Sequence, residues 1–202
     1  MKKPAMYVVS QPDYFDPWRD LFRLVFRPAD ADVILFSGGA DVWPGLYGEG
    51  LGWYTYSDPK RDLWEKHIFE AFPKKQRLGI CRGAQFLCVM AGGKLVQHVR
   101  NHGRWHDVET KSGPVFMSST HHQMMRPGKV PHELLGWCKN RSSVYLDGDN
   151  KEISEMNRSG VEPEMVFFPR TTSLCIQGHP EIMDAHSGGV KFCQQLVKKY
   201  LL

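Results

Sequence analysis

The stretch that decides the fold runs from Gln76 to Gly93 and reads QRLGICRGAQFLCVMAGG. Its first part, Gln76 to Cys81, predicts a short buried strand. The residues from Arg82 to Ala91 place their apolar side chains at helical spacing, and Gly92-Gly93 ends that helix. A strand that passes directly into a helix is the building unit of a parallel sheet covered on both faces.

A G-x-C-x-G motif, Gly79-Ile80-Cys81-Arg82-Gly83, stands where this strand ends and the helix begins. Small residues are needed at such a tight turn, which leaves the central side chain projecting above the sheet edge. The helix N-terminus behind Cys81 favours a thiolate over a thiol. The motif predicts that Cys81 is a nucleophile, and the alternative for these five residues alone is a small buried apolar cysteine.

The residues before this stretch repeat the strand and helix alternation. Met6 to Ser10 and Asp32 to Ser37 predict buried strands, whereas Asp16-Pro17 and Asp58-Pro59 each supply an N-cap and a first-turn proline for a helix. The predicted apolar faces of the two helices are Trp18, Leu21, Phe22, Val25 and Phe26, and Trp64, Ile68, Phe69 and Phe72. Glycine and proline cluster between residues 38 and 59, which predicts one long functional loop.

The pattern changes in the second half of the chain. From Trp105 to Gln177, short strands alternate with turn signals, which indicates antiparallel additions to the sheet. Ser187 to Tyr200 predicts an amphipathic helix packed on that sheet. We therefore predict one domain over residues 1–202, with a three-layer, flavodoxin-like α/β fold. Its sheet is mostly parallel with antiparallel additions, and the site lies at the carboxyl ends of the strands.

Composition narrows the classes of function. The 202 residues are 42% hydrophobic and 24% charged, which fits a soluble domain too short for a multidomain synthetase. The formal charge of +4 is scattered along the chain and makes no case for nucleic acid. We find no membrane span or signal peptide and expect a cytoplasmic protein. The five cysteines include no C-x-x-C pair, which argues against disulfides and against a thiolate zinc site.

A second motif, Gln177-Gly178-His179-Pro180-Glu181, directly follows the apolar strand Leu174-Cys175-Ile176. A cysteine nucleophile needs a base, and His179 is the strongest candidate, with Glu181 placed to orient its imidazole. The alternative is a histidine that merely caps a strand end beside an exposed turn carboxylate.

Seven motifs together resemble class I glutamine amidotransferases, and their order is most similar to the free-standing γ-glutamyl-γ-aminobutyrate hydrolase branch. The resemblance extends from about residue 33 to 184. The motifs are Phe36-Ser37-Gly38-Gly39-Ala40-Asp41-Val42, Tyr47-Gly48-Glu49, Arg61-Asp62 with Glu65, Leu78-Gly79-Ile80-Cys81-Arg82-Gly83-Ala84-Gln85, Gly92-Gly93-Lys94-Leu95, His121-His122-Gln123 and His179-Pro180-Glu181.

The resemblance implies a role for each matching position. Cys81 is the nucleophile, His179 the general base and Glu181 its partner, with a glutamyl thioester as intermediate. The backbone N–H groups of Gly39 and Arg82 form the oxyanion hole, where a glycine allows close approach. The positions implied to hold the glutamyl group are Gln85, Ser119, Thr120 and His121. In isolation, each of these four is better explained by local contacts alone, and it is their joint order that favours the binding role.

Two other kinds of site have some support in the sequence. Ser37 to Asp41 is similar to the phosphate loop of ATP-dependent ligases, but Val42 and Trp43-Pro44 follow it, which makes a phosphate cradle an unattractive interpretation. Five imidazoles, those of His98, His102, His106, His121 and His122, would suffice for a metal, yet their spacing is irregular. We therefore expect neither a metal nor a cofactor.

Two departures from the family pattern concern the site. Gly178 stands where a larger residue commonly precedes the histidine, which could loosen His179. The N-terminal part is shorter than in the hydrolase branch, which puts substrate choice in doubt. Whether Trp53, Tyr54 and Tyr56 in the long loop line the pocket or simply pack is left open.

The sequence thus predicts a cysteine-dependent C–N hydrolase that cleaves a γ-glutamyl amide, either glutamine or a γ-glutamyl-amine conjugate. One alternative is a glutaminase that delivers ammonia to a separate synthetase. Another is a binding or regulatory module without turnover. The expected partner is a small-molecule γ-glutamyl substrate, and a homodimer is left open.

Overall fold

Residues 3–202, which the computed structural model describes, form strands and helices in alternation through the first half of the chain. The strands are β1 (Ala5–Val9), β2 (Arg23–Val25), β3 (Val33–Phe36), β4 (Gln76–Ile80), β5 (Lys94–Val96), β6 (His98–Val99), β7 (His106–Thr110), β8 (Val115–Met117), β9 (Met124–Arg126), β10 (Glu133–Lys139), β11 (Tyr145–Leu146), β12 (Val161–Phe168) and β13 (Ser173–Ile176). The α-helices are α1 (Pro59–Ala71), α2 (Arg82–Met90), α3 (Ser154–Ser159) and α4 (Gly188–Leu201).

Nine strands form one sheet in the order β2-β1-β3-β4-β13-β12-β10-β7-β8. The strands from β2 to β13 in that order are parallel. The remaining four, β12, β10, β7 and β8, continue the sheet antiparallel. The predicted α/β fold with a parallel sheet and antiparallel additions is confirmed.

Helices cover both faces of the parallel strands. On one face, Ile68 of α1 and Phe86 of α2 join Ile34 and Phe36 of β3 in one apolar cluster. On the other face, side chains of α4 belong to a second apolar cluster that includes Leu35 of β3. Because successive strand residues point to opposite faces, β3 must be apolar throughout, and all four of its residues are buried. This arrangement gives the three predicted layers.

The helix predicted to start at Asp16-Pro17 is wrong. The structure has a 3-10 helix over Pro12–Trp18, a turn, and then β2, which pairs with β1 at the sheet edge. Trp18 and Phe22 are buried as the periodicity indicated, but Phe26 is 85% exposed. Two buried aromatic residues four apart are equally compatible with a turn, and pairing with β1 takes the residues that follow.

The helix predicted at Asp58-Pro59 is confirmed, but its buried face differs from the predicted apolar stripe. Asp58 caps α1 by accepting hydrogen bonds from the backbone of Lys60 and Arg61. The buried side chains of α1 are Asp62, Glu65 and Ile68, whereas Trp64 is exposed. Two charged residues occupy the inner face because they pair with a buried arginine of α2.

The predicted C-terminal helix is present as α4, with the Ser187 hydroxyl capping its first turn. Within residues 3–202, none of the helices combines the length and apolar character that a membrane span requires.

Candidate active site

Cys81 occupies a strained turn between β4 and α2. Its backbone lies at φ 50° and ψ −110°, a conformation unusual for any residue other than glycine. A Cβ atom at Gly79 would lie 2.6 Å from the carbonyl oxygen of Gly83, and one at Gly83 would collide with the backbone of Phe36. Both glycines of the motif are therefore required for the chain to turn sharply and present Cys81 above the sheet.

His179 reaches the same place from the neighbouring strand. It follows β13, which is parallel to β4, so the carboxyl ends of the two strands meet at one edge. Its Nδ1–H donates to Glu181 Oε1 at 2.6 Å, and its Nε2 lies 2.8 Å from the Thr120 hydroxyl. The structure thus brings Cys81, His179, Glu181 and Thr120 together.

The surroundings hold His179 in its protonated form. Burial alone would lower the pKa of this imidazole, but hydrogen bonds and negative charge from Cys81 and Glu181 outweigh burial and raise its pKa to about 10. An imidazolium in this position can stabilise a neighbouring thiolate and donate a proton.

Ser118 fixes the backbone of His179, a role that the sequence analysis missed. The Ser118 hydroxyl donates to the His179 carbonyl oxygen at 2.5 Å and accepts from the His179 N–H at 3.0 Å. A Cβ atom at Gly178 would lie 2.7 Å from the Ser118 carbonyl oxygen. Gly178 therefore allows two chain segments to pass closely, and this contact constrains His179 rather than loosening it.

Gly39 lies in a loop that Arg61 holds from behind. The Arg61 guanidinium donates to the carbonyl oxygens of Ser37 and Gly38, at 3.2 and 2.9 Å. Gly39 has φ 138°, and a side chain there would collide with the same guanidinium. Only glycine fits this position, which borders the cleft beside Cys81.

Arg82 offers the cleft its main chain, because its side chain is committed elsewhere. The buried guanidinium pairs with Asp62 and Glu65 of α1, and Glu65 also accepts from Arg61 Nε at 2.8 Å. This network connects the Gly39 loop to the turn that carries Cys81. The predicted oxyanion positions Gly39 and Arg82 therefore both line the cleft and are connected by charged side chains.

The cleft has a volume of about 320 Å³ and is lined by three of the four predicted substrate positions, Gln85, Thr120 and His121. Gln85 Nε2 donates to the backbone carbonyl of Gln123 at 2.9 Å. Ser119 does not line the cleft, because its buried hydroxyl donates to the His102 carbonyl oxygen. The His121 ring nitrogens face Gln123 and Glu164. The hydrogen-bonding side-chain atoms of Ser119 and His121 are thus turned away from the cleft.

Further polar groups line the cleft that were given no role in the sequence analysis. Asp41 accepts a hydrogen bond from the Tyr56 N–H at 2.9 Å, and its other oxygen lies 3.2 Å from His122 Nε2. The hydrogen bond with Asp41 raises the pKa of His122, against the opposing effect of burial. Asp41 and His122 both belong to motifs that resemble the family, Phe36 to Val42 and His121 to Gln123. Their place in those motifs is the sequence feature that could have indicated a role for them.

Tyr14 is a site residue without any sequence signal. Its hydroxyl lies against Gly38, and its ring centre is 6.3 Å from that of His179. Burial raises the pKa of Tyr14, and the negative charges of Glu181 and Cys81 raise it further. The phenol therefore stays protonated beside the histidine and carboxylate. Only the packing of the N-terminal 3-10 helix against the segment after His179 brings it there.

The aromatic residues of the long loop divide into three cases. Tyr56 lines the cleft, Tyr54 stacks on His98 with ring centres 4.0 Å apart, and Trp53 is 78% exposed and outside the cleft. Of the three, Tyr56 is therefore the one placed to contact a ligand.

The five histidines considered as metal ligands lie in different surroundings. His102, His106 and His121 are buried around Glu164, whereas His122 faces Asp41 and His98 faces Tyr54. The first three belong to a separate group behind the cleft, which shares only His121 with it.

Comparison with known proteins identifies the family. The peptidase C26 model matches residues 28–145. "Putative glutamine amidotransferase PB2B2.05" of Schizosaccharomyces pombe is 36% identical over 189 residues, which cover 85% of this chain and 71% of that protein. The chain therefore belongs to the peptidase C26 family of glutamine amidotransferase-like proteins, a family of C–N hydrolases. It spans only 50% and 44% of the lengths of two further relatives.

Solved structures show the same fold at much lower identity. A glutamine amidotransferase from Thermotoga maritima superposes with a TM-score of 0.59 at 12% identity, covering 99% of this chain and 83% of that one. A "putative gmp synthase subunit a protein" from Thermoplasma acidophilum gives a TM-score of 0.59 at 14% identity, covering 98% and 99%. These matches show that the chain has the class I glutamine amidotransferase fold.

Proposed function

We propose that this protein is a cysteine-dependent hydrolase of γ-glutamyl amide bonds, acting on glutamine or on a γ-glutamyl-amine conjugate. The observation that carries the proposal is the position of Cys81 on a strained turn beside His179, whose Nδ1 is held by Glu181. Nucleophile, base and orienting carboxylate are the three parts that covalent catalysis of acyl transfer requires.

In the proposed first half-reaction, the Cys81 thiolate attacks the γ-carbonyl carbon of the substrate. The electron pair of the C=O bond moves onto the oxygen, where the N–H groups of Gly39 and Arg82 stabilise the negative charge. The imidazolium of His179 gives its Nε2 proton to the leaving nitrogen as the C–N bond breaks. The products are a free amine, or ammonia, and a glutamyl thioester on Cys81.

In the second half-reaction, neutral His179 takes a proton from water, and the resulting hydroxide attacks the thioester carbonyl. The C–S bond breaks, glutamate leaves, and the thiolate and imidazolium are restored. Glu181 stabilises the positive charge on His179 throughout. Thr120, whose hydroxyl contacts Nε2, must exchange that contact for the leaving group or the water.

The cleft supports a small, polar substrate. Its volume of about 320 Å³ is at the low end for ligand pockets. Its lining includes the paired Asp41 and His122 and the amide of Gln85, which suit a zwitterionic amino-acid end. Membership of the peptidase C26 family adds support for a stand-alone hydrolase.

A glutaminase that delivers ammonia to a separate synthetase is the second candidate. The observation in its favour is that a protein named as a GMP synthase subunit has a similar fold, with 99% of that protein's chain covered by the superposition. Such a glutaminase would be slow alone, whereas a stand-alone hydrolase would turn over fully without a partner.

The test is glutamate release by the purified protein from glutamine and from a panel of γ-glutamyl amines. We expect Cys81→Ser to abolish release while the melting temperature stays nearly unchanged, because Cys81 lies at the cleft surface. Cys138→Ser is the matched control, since Cys138 is also buried but lies outside the cleft. It should retain full activity.

Each outcome separates the candidates. Release from a conjugate but not from glutamine supports the stand-alone hydrolase. No release from any substrate, with Cys81 still rapidly alkylated by iodoacetamide, favours the partnered glutaminase. No release together with an unreactive Cys81 contradicts both and favours the module without turnover.

A further inference from the structure

Three histidines converge on one carboxylate oxygen behind the cleft. His102 Nδ1, His106 Nε2 and His121 Nε2 lie 3.0, 3.5 and 3.4 Å from Glu164 Oε1. All four side chains are at least 97% buried. None of these three nitrogens, and not Oε1 itself, has a hydrogen-bond partner. Buried polar atoms left unpaired in this way are costly and require an explanation.

The remaining ring nitrogens are already assigned. His106 Nδ1 donates to the Arg104 carbonyl oxygen and His121 Nδ1 to the Gln123 carbonyl oxygen, both at 2.8 Å. A carbonyl only accepts, so in neutral rings the proton is on Nδ1 and the lone pair of Nε2 points toward the carboxylate. Two lone pairs facing an anionic oxygen repel one another unless a cation lies between them.

His102 shows the same division between its two ring nitrogens. Its Nδ1 faces Glu164, while its Nε2 lies 3.4 Å from Oε2 of the buried Glu162. A histidine that binds a metal through one nitrogen typically has the other beside a carboxylate or carbonyl. His106 and His121 satisfy this condition through the carbonyl oxygens of Arg104 and Gln123. For His102 the corresponding group is Glu162, at 3.4 Å and without hydrogen-bonding geometry.

We propose that His102, His106 and Glu164 form the centre of a buried binding site for a divalent transition metal, with zinc as the best-fitting ion. His121, whose Nε2 also lies beside Glu164 Oε1, completes the site as the fourth ligand. Zinc takes four nitrogen, sulfur or oxygen ligands in a tetrahedron with metal–nitrogen bonds of about 2.0–2.1 Å, which puts neighbouring ligand atoms about 3.3 Å apart. The three distances to Glu164 Oε1 are close to three of the six edges of that tetrahedron. The ligand atoms of His102, His106 and Glu164 also all lie within 4.8 Å of one another. Calcium and magnesium prefer oxygen ligands and do not suit three imidazoles.

A metal-free cluster bridged by protons is the competing explanation. A doubly protonated His102 could face Glu164 and Glu162 together, in keeping with a pKa of His102 raised to about 9 by these carboxylates against the effect of burial. That state still leaves His106 and His121 directed at Glu164 without hydrogen-bonding geometry. A metal accounts for all three histidines at once.

The site would connect separate parts of the chain near the cleft. His102 lies before β7 and His106 is its first residue. Glu164 lies in β12, and His121 belongs to the segment that lines the cleft. Four protein ligands leave no open position, which is typical of structural zinc. We therefore assign the metal a structural role that does not depend on the proposed hydrolase activity.

The test uses the full chain with Cys81→Ser, which removes the thiolate that could bind metal at the active site. The protein is dialysed against a chelator and titrated with Zn²⁺, and separately with Co²⁺, whose visible absorption reports tetrahedral ligands. We expect one metal per chain and a melting temperature that rises by about 5–10 °C at saturation.

Ligand variants locate the binding. Glu164→Gln and His106→Gln should each weaken Co²⁺ binding by at least ~10-fold. His132→Gln is the matched control. His132 Nδ1 also lies beside a backbone carbonyl, but the residue is exposed and is not part of the cluster around Glu164. It should bind like the parent. If His106→Gln fails to fold, the titration of the parent still decides.

Two results would overturn the proposal. One is a melting temperature that does not change on adding Zn²⁺, with less than one metal bound per chain, which would leave the proton-bridged cluster. The other is Co²⁺ binding that persists unchanged in Glu164→Gln, or that is lost equally in His132→Gln. Either result with the variants would mean that the metal binds at another site.

Discussion

Cys81 differs from the other four cysteines in its surroundings, because it alone among the five lines the cleft. Burial raises the pKa of Cys88 and Cys193 to about 12 and raises the pKa of Cys138 and Cys175 as well. A thiol with a raised pKa is a poor nucleophile at neutral pH. Cys81 instead borders the cleft beside His179, whose pKa is raised, so we expect the reactivity of Cys81 to depend strongly on that imidazole.

Removing that imidazole should slow the alkylation of Cys81. We expect His179→Gln to lower the rate of iodoacetamide modification at pH 7 by about 10- to 30-fold, because an unassisted thiol of pKa about 8.5 is only ~3% thiolate at that pH. Modification of Cys81 is measured by peptide mass spectrometry. His186→Gln, an exposed histidine nearby in sequence, should leave the rate unchanged. An unaltered rate in His179→Gln would refute the ion-pair interpretation.

At the scale of elements, α1 and α2 are joined by buried charges rather than by an apolar stripe. Asp62 and Glu65 together pair with the Arg82 guanidinium, and all three side chains are at most 2% exposed. A buried ion pair adds little stability as a whole, but losing one partner leaves the other charge uncompensated. The connection between the two helices therefore depends on each member.

We expect Asp62→Asn to lower the free energy of unfolding by about 3 kcal/mol, because Arg82 would keep its charge in a buried setting with one partner fewer. Urea unfolding measures the change. Glu70→Gln on the same helix is the control: its exposed pair with Lys66 should contribute about 0.5 kcal/mol or less. Equal effects of the two substitutions would show that the Arg82 network is not structural.

The long loop before α1 makes a separate prediction. Tyr56 lines the cleft, and its backbone N–H binds Asp41, whereas Trp53 is exposed outside the cleft. We expect Tyr56→Ala to raise KM for the γ-glutamyl substrate several-fold, because it removes part of the pocket wall. Steady-state kinetics should show no change in Trp53→Ala. The reverse order would mean that the loop moves on binding so that Trp53 covers the substrate.

At the scale of the whole molecule, the cleft lies where the parallel and antiparallel parts of the sheet meet. Cys81 follows the parallel strand β4, while His179 follows β13, whose other neighbour β12 is antiparallel. Ser118, Thr120 and His121 come from the connection between β8 and β9. Because folding raises the pKa of His179, which lies at this junction, the stability of the fold is coupled to the protonation of His179.

This coupling gives a pH dependence with a definite sign. The pKa of His179 is raised to about 10 in the folded state, from about 6.5 when unfolded. Its stabilising contribution is thus complete below about pH 6.5 and is lost as the pH rises toward 10. We expect the difference in unfolding free energy between the parent and His179→Gln to be larger at pH 6 than at pH 9.5, by at least ~1 kcal/mol.

Urea unfolding of both proteins at the two pH values measures this difference. Groups that titrate identically in both proteins cancel from it. Cys81 interacts with His179 and would not cancel, so both proteins carry Cys81→Ser, which leaves Glu181 to raise the pKa of the imidazole. A difference that stays constant or grows with pH would mean that His179 is neutral in the folded protein.

Part of this architecture could be predicted because it is local. The G-x-C-x-G turn around Cys81 depends on contacts between the motif and the adjacent backbone, and the cap at Asp58 involves residues two and three positions away. Strand residues buried on both faces must be continuously apolar, as in β3. Such local demands leave direct traces in the sequence.

Other features were predicted wrongly, or could not be predicted, because they depend on contacts with residues that are distant in the sequence. The segment after Asp16 has helical spacing but forms a turn and the edge strand β2, since pairing with β1 outweighs its local preference. Asp62 is buried, and Trp64 exposed, because Asp62 pairs with Arg82. Arg82 is 20 residues away in the sequence, so local spacing does not reveal the pair. Tyr14 reaches the site only through packing.

By itself, the sequence determined the parallel α/β core, the turn that presents Cys81, and the His179-Pro180-Glu181 segment after its strand. Only the tertiary structure decided that β4 and β13 are neighbours, which brings Cys81 and His179 to one cleft. It also gathered His102, His106 and His121 around Glu164, although their spacing in the sequence is irregular. Turns and caps follow from short-range sterics, whereas sites follow from strand order, which long-range pairing sets.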